Sequence, residues 1–131
     1  MRRLAAAAAL SLLTGLGACT APAGPSVAPK VVVYFQEWSA NLDDAAKAAI
    51  SNAATMAKAD PGQLVTVTGF SAVDNHSAQA NVDLSRTRAQ VVVDQLKQDG
   101  IAGSRIRIAA KGPTDYSLSA VEARRVEISV P

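Results

Sequence analysis

Residues 64–108 read LVTVTGFSAVDNHSAQANVDLSRTRAQVVVDQLKQDGIAGSRIRI, and this stretch decides the fold. Leu64-Val65-Thr66-Val67-Thr68 is β-branched and alternates in polarity, the pattern of a strand with one buried face. A polar loop runs from Gly69 to about Asp83. Ala89, Val92, Val93 and Leu96 then recur at helical spacing, which predicts a helix over about Ser85 to Gln98 with those four on its buried side. Gly100 is placed to end that helix, because glycine takes the left-handed backbone of a helix C-terminus at little cost. Ile106-Arg107-Ile108 predicts the next strand.

Working outward, Val31-Val32-Val33-Tyr34-Phe35 is a β-branched and aromatic run and predicts a strand. Asp43-Asp44 open a helix, where acidic groups suit the positive end of the helix dipole. Leu42, Ala46, Ala49, Ile50, Ala53 and Met56 or Ala57 continue at helical spacing until Asp60-Pro61-Gly62 stops it. Val126-Glu127-Ile128-Ser129-Val130 predicts the last strand, with Val126, Ile128 and Val130 on one face. The order β-α-β-α-β-β over residues 30–131 gives an α+β, two-layer sandwich with two helices on one face of a small mixed sheet. No internal repeat is visible.

The N-terminus has a separate logic. Arg2 and Arg3 precede a short apolar run that ends in Leu16-Gly17-Ala18-Cys19. The run is shorter than the roughly 20 residues a spanning helix needs. A positive start, an apolar stretch and a small-residue cleavage site make an export signal. With cysteine at the cut, the segment resembles a bacterial lipobox. That resemblance implies a signal peptide over residues 1–18 and a lipidated Cys19 as the new N-terminus. Residues 19–29, with Pro22, Pro25 and Pro29, form a short tether. Thr20 leans the expectation toward the cell outer membrane, lipid-anchored, with the domain facing the periplasm. Cys19 is the only cysteine, so no intramolecular disulfide is available. Loss of Arg2 and Arg3 leaves 11 basic residues against 11 acidic ones. That balance lacks the basic excess of a nucleic-acid partner.

Val33-Tyr34-Phe35 with Ser39 and Leu42, then Gly69, Asn81, Leu84-Ser85-x-x-Arg88-Ala89, Gly100-Ile101, Arg105-Ile106 and Arg124-Arg125-Val126-Glu127-Ile128, resembles the OmpA-like peptidoglycan-binding domain. The peptidoglycan-associated lipoproteins belong to that family, whose fold is the sandwich that the pattern gives independently. The resemblance implies a site for the free end of a diaminopimelate side chain, a carboxylate and an ammonium on one carbon. Arg88 matches the family's arginine, whose planar fork suits a carboxylate. It is expected in the first turn of the second helix, where free backbone N–H groups also favour an anion. Asn81 matches the loop asparagine, Ser71 lies in the ligand loop, and Arg124 or Arg125 matches the C-terminal arginines.

The ligand loop departs from the family. The pattern Gly-(His, Tyr or Phe)-(Thr, Ser or Ala)-Asp-x-x-Gly is met by Gly69-Phe70-Ser71-Ala72-Val73-Asp74-Asn75, so Ala72 stands at the aspartate position and Asn75 at the late glycine. The missing aspartate is the implied partner of the ammonium. A one-residue bulge after Ser71 would bring Asp74 into its place, with Asn75 tolerating the left-handed backbone.

Plainer readings stand beside these. Arg88 is also suited to a surface ion pair with Asp74, Asp83 or Asp94. Asp74-Asn75 also suits a solvated turn, and Arg124-Arg125 the solvation of a strand edge. His76 with Ser71 or Ser77 and Asp74 has the residue types of a hydrolase, but neighbours on one loop seldom converge on one reacting atom. No enzyme is expected, and no metal or cofactor. Trp38 and Tyr34 suit sugar rings, yet their place in or just after a strand predicts burial of most of their surface. Asp115-Tyr116 is placed to border the cleft. Two functions follow. One is an outer-membrane lipoprotein that binds peptidoglycan non-covalently and tethers membrane to wall. The other is an OmpA-like module that has lost this ligand, as Ala72 suggests, and contacts another envelope protein; it requires Arg88 paired internally and the cleft filled.

Overall fold

The strand nearest the C-terminus lies inside the sheet. In the computed structural model, which describes Gly24 and residues 28–131, four strands run β1 Lys30–Tyr34, β2 Val65–Ala72, β3 Ile106–Thr114 and β4 Arg125–Ser129. Their order in the sheet is β1-β4-β2-β3. β4 pairs antiparallel with β1 on one side and β2 on the other, and β2 pairs parallel with β3. The register sets Val33 opposite Val126 and Val67 opposite Ile128, so the alternating apolar positions meet on one face.

Two helices cover that face, α1 Asp44–Ala59 and α2 Ala78–Gln98. Ile50 and Ala53 of α1, Val92 and Leu96 of α2, and Val65, Val67, Val126 and Ile128 of the sheet form one cluster, each fully buried. Much of the α1 contribution is alanine, which lets the helix sit close to the strands. Asp43 caps α1 by accepting from the Ala46 amide at 2.7 Å. Gly100 follows α2 with φ +99°, the left-handed conformation expected of it. Where β2 crosses α2 there is no room for any side chain: a Cβ on Gly69 would stand 2.0 Å from the Ser85 carbonyl oxygen. Ser85 completes this crossing, donating to the Val82 carbonyl and accepting from the Gly112 amide.

The long polar loop expected between β2 and α2 is much shorter. β2 stays paired with β3 through Ala72, and α2 begins at Ala78 with Ser77 as its cap, its hydroxyl accepting from the Ala80 amide. Ala78, Gln79 and Ala80 are good helix formers, but this first turn has no apolar stripe to reveal it. β3 likewise runs on to Thr114 through Ala109-Ala110-Lys111-Gly112-Pro113, a stretch with no alternation to read. The bulge expected after Ser71 is absent. The irregularity falls between Gly69 and Phe70 on β2, where β3 carries Lys111 as an extra residue. The signal segment 1–18, Cys19 and most of the tether 19–29 lie outside the described residues. Among the described residues, no helix is long and apolar enough to cross a membrane.

Candidate functional site

A cleft of about 230 Å³ opens where β2 ends. Glu37 and Trp38 of the β1–α1 loop, Ala72, Val73 and Asp74 after the strand, Asn81, Leu84 and Arg88 of α2, and Tyr116, Ala120 and Arg124 ahead of β4 line it. Of the residues proposed from sequence, Asp74, Asn81, Arg88 and Arg124 therefore meet here.

Arg88 is fully buried, not a surface ion-pair partner. It lies in the middle of α2 and not in its first turn, because the helix starts at Ala78; the free helix amides do not help it, and Asn81 occupies that turn instead. Its Nε donates to the Ser39 carbonyl at 2.8 Å, Nη2 to Gln36 at 3.0 Å and Nη1 to Phe70 at 3.3 Å. The guanidinium also lies 5.4 Å from the Phe35 ring centroid. Among the described residues no carboxylate comes within 4.0 Å of it. Burial, with a smaller contribution from the neighbouring Arg124 charge, brings its pKa down to about 10, so it remains a cation at neutral pH. A guanidinium has five N–H donors. Two are used on the β1–α1 loop and one on the Phe70 carbonyl of β2, and two make no hydrogen bond to the described residues.

The Arg124 Nε donates to the Phe35 carbonyl at 3.2 Å, so two arginines secure the β1–α1 loop and leave positive charge at its base. Arg125 turns the other way. Strand alternation puts it on the sheet face away from the helices, where it stacks 4.2 Å from the Phe70 ring and pairs with Glu127 at 2.9 Å. Ser71 is fully buried, does not line the cleft, and its hydroxyl has no hydrogen-bond partner.

Asp74 reaches the cleft from the turn after β2. Its Oδ1 accepts from Asn81 Nδ2 at 2.9 Å and from the His76 amide at 2.9 Å, and lies 3.4 Å from His76 Nδ1. The Asn81 bond above all holds the carboxyl below its ordinary pKa, aided by the contacts with His76 and opposed by partial desolvation. All three contacts fall on Oδ1, which leaves Oδ2 for a ligand. Glu37, which sequence patterning did not single out, adds a second acid to the lining; only its place next to Trp38 in the loop after β1 could have signalled it. The floor can thus meet a carboxylate with Arg88 and Arg124, and an ammonium with Asp74 or Glu37. Among the described residues no three His, Cys, Asp or Glu side chains group to hold a metal ion.

One aromatic residue corrects the sequence reading. Tyr34 is 53% exposed, against the burial expected of most of its surface, whereas Trp38 is 39% exposed, most of it covered as expected but with a substantial part left open. Tyr34 points away from this cleft, whereas Trp38 lines it and packs its ring 3.9 Å from that of His76. Tyr116 lines it as expected; its neighbour Asp115 does not.

Residues 34–125 match the model of the OmpA family. Outer membrane protein 40 of Porphyromonas gingivalis is 32% identical over 100 residues, which cover 74% of this chain and 26% of that protein. The chain thus spans about a quarter of that relative. The OmpA-like domain of FopA1 from Francisella tularensis superposes with a TM-score of 0.68 at 28% identity, covering 77% of this chain and 70% of that one. The peptidoglycan-associated lipoprotein of Burkholderia pseudomallei gives 0.67 at 20% identity, over 75% and 87% of the two chains, a likeness of fold.

Proposed function

The chain belongs to the OmpA family, and from this membership and the charged cleft we propose that it binds peptidoglycan non-covalently through the diaminopimelate of a stem peptide. The observation that carries the reading is Arg88, a fully buried cation in the lining of a cleft with no carboxylate within 4.0 Å among the described residues. An unpaired buried charge is costly, and a ligand carboxylate relieves that cost. Arg88 and Arg124 take the carboxylate, and Asp74 Oδ2 takes the ammonium in place of the aspartate missing at Ala72. Asn81 holds Asp74 in place and ionised. A protein that shares the fold is by its own name peptidoglycan-associated, which makes this polymer the first ligand to test. The domain binds and does not catalyse.

The rest of the proposal concerns location. Cys19 is lipidated after removal of residues 1–18, and residues 19–29 tether the domain, residues 30–131, to the cell outer membrane so that it faces the periplasm. Acyl chains contribute about 0.8 kcal/mol per buried methylene, and stable anchoring takes more than one. The protein then links membrane to wall. The competing reading, an envelope module that contacts another protein, keeps Ala72 as its support. Arg88, bonded to three internal carbonyls, also fits that reading, but the open cleft speaks against it, since it requires the cleft to be filled.

Co-sedimentation with purified diaminopimelate-type sacculi tests the proposal. Wild type is expected to pellet, while Arg88→Ala and Asp74→Ala stay in solution. If Arg88→Ala alone abolishes binding, the site works without Asp74. A well-folded wild type that stays in the supernatant sinks the peptidoglycan reading and turns attention to a protein partner.

A further inference from the structure

Trp38 is the one described residue other than glycine with positive φ, at 48°. Such a backbone is unfavourable for a bulky side chain and persists only where its surroundings impose it. Here they do. Arg88 bonds the carbonyls of Gln36 and Ser39, which bracket Trp38, and the Ser39 amide donates to Gln36 across the same turn. From beyond β2, the His76 ring packs against the indole with a centroid separation of 3.9 Å and a tilt of 55°, and Asp74 in turn holds the His76 amide. All this bracing leaves a tryptophan 39% exposed at the cleft, with Tyr116 exposed at the same cleft. A strained and braced aromatic that is not buried is poorly explained by core packing.

We propose that Trp38, with Tyr116 beside it, is a saccharide platform that binds the glycan part of the ligand while the charged floor holds the peptide. The inference rests on the peptidoglycan reading and names a second component of that ligand. Its chemistry is that of a pyranose ring: a face of C–H groups that packs on an aromatic surface, and hydroxyl and acetamido edges that need polar partners. The lining provides both, since Glu37 accompanies the two aromatics. An apolar protein segment would leave that charge without a partner, which disfavours it as the occupant.

Calorimetric titration of the purified protein with two soluble fragments tests this. One is a tripeptide stem ending in free diaminopimelate; the other is the same stem carrying its N-acetylglucosamine–N-acetylmuramic acid disaccharide. The disaccharide is expected to tighten binding about tenfold. Trp38→Ala should erase that increment, so that the variant binds the two fragments alike, while Trp38→Phe should keep most of it. Circular dichroism melts confirm that both variants fold. Trp38 is the only tryptophan of the chain, so its emission reports on this rim directly and should change more with the disaccharide fragment than with the tripeptide. Equal wild-type affinities for the two fragments overturn the platform and leave the peptide site standing. So does a Trp38→Ala variant that keeps the tenfold increment between the two fragments, which would put the indole against the peptide alone. Binding of neither fragment overturns the peptidoglycan reading and the platform together.

Discussion

Arg105 and Arg88 each gather three main-chain carbonyls, at opposite ends of β2. Arg105 bonds Ala57, Asp60 and Gln63 at 2.8–3.0 Å, closing the end of α1 onto the start of β2. It is partly solvated, and a cation beside a helix C-terminus suits the helix dipole. Arg88 makes bonds of similar length at the other end but is fully buried, beside a second cation and without an acid. Similar bonds therefore have different standing. At Arg105 charge and hydrogen bonds favour the fold together. At Arg88 the hydrogen bonds offset a desolvation that a ligand anion would further relieve.

The contrast can be broken by exchanging the two losses. Arg88→Ala is expected to reduce sacculus binding at least thirtyfold, about 2 kcal/mol, because a buried charge partner is removed. Arg105→Ala should leave sedimentation unchanged and cost about 1–3 kcal/mol of stability, read as a lower melting temperature. If Arg105→Ala also abolishes binding in a folded protein, the two ends are not independent. Gly69→Ala sharpens the comparison from the fold side. Its Cβ would meet the Ser85 carbonyl oxygen at 2.0 Å, and the backbone must shift to admit it. A loss of about 1–3 kcal/mol is expected, with weakened binding as well, since α2 carries both Asn81 and Arg88.

Asp74 gives a pH signature. Its pKa lies below the ordinary 3.8, so the folded state favours the ionised form. Its contribution is present above the unfolded value and is lost as pH falls through the lower folded one. Sacculus binding should accordingly hold from neutral pH down to about 4 and decline only below. Asn81→Ala removes the principal cause of the depression, so the decline should begin at higher pH. An unmoved midpoint would exclude Asp74 as the group being titrated. The smallest effect is expected at Glu127. Burial raises its pKa, but Lys30 and Arg125, at 3.0 and 2.9 Å, more than reverse this. Glu127→Gln should cost at most about 1 kcal/mol in a melt, with binding unchanged, because this cluster is on the far face of the sheet.

Both helices, all four strands and the core face of α2 were legible in the sequence, because apolar periodicity marks whatever packs against the core. The same signal failed at the cleft. Ala72 and Ala78 to Ala80 carry no periodicity, so the end of β2 and the first turn of α2 were read as loop, and Arg88 was placed near a helix start. Arg125 was grouped with Arg124 because adjacency in sequence does not say which strand face each takes. Tyr34 was expected mostly buried because a place in a strand does not say which face of the sheet its ring takes. Asp74, Asn81, Arg88 and Arg124 were found through the family's spacing, and the structure gathers these four around the cleft.

The edge position of β1 has a mechanical consequence. Lys30 lies opposite Ser129 at one end of the sheet, whereas Tyr34 and Phe35 lie beside the arginines at the cleft end. Tension between the segment that precedes Lys30 and a ligand seated in the cleft therefore runs along the strands. The hydrogen bonds between β1 and β4 stand across that direction. They are loaded together in shear and are not opened one after another like a zipper, an arrangement that lets a short edge strand resist pulling.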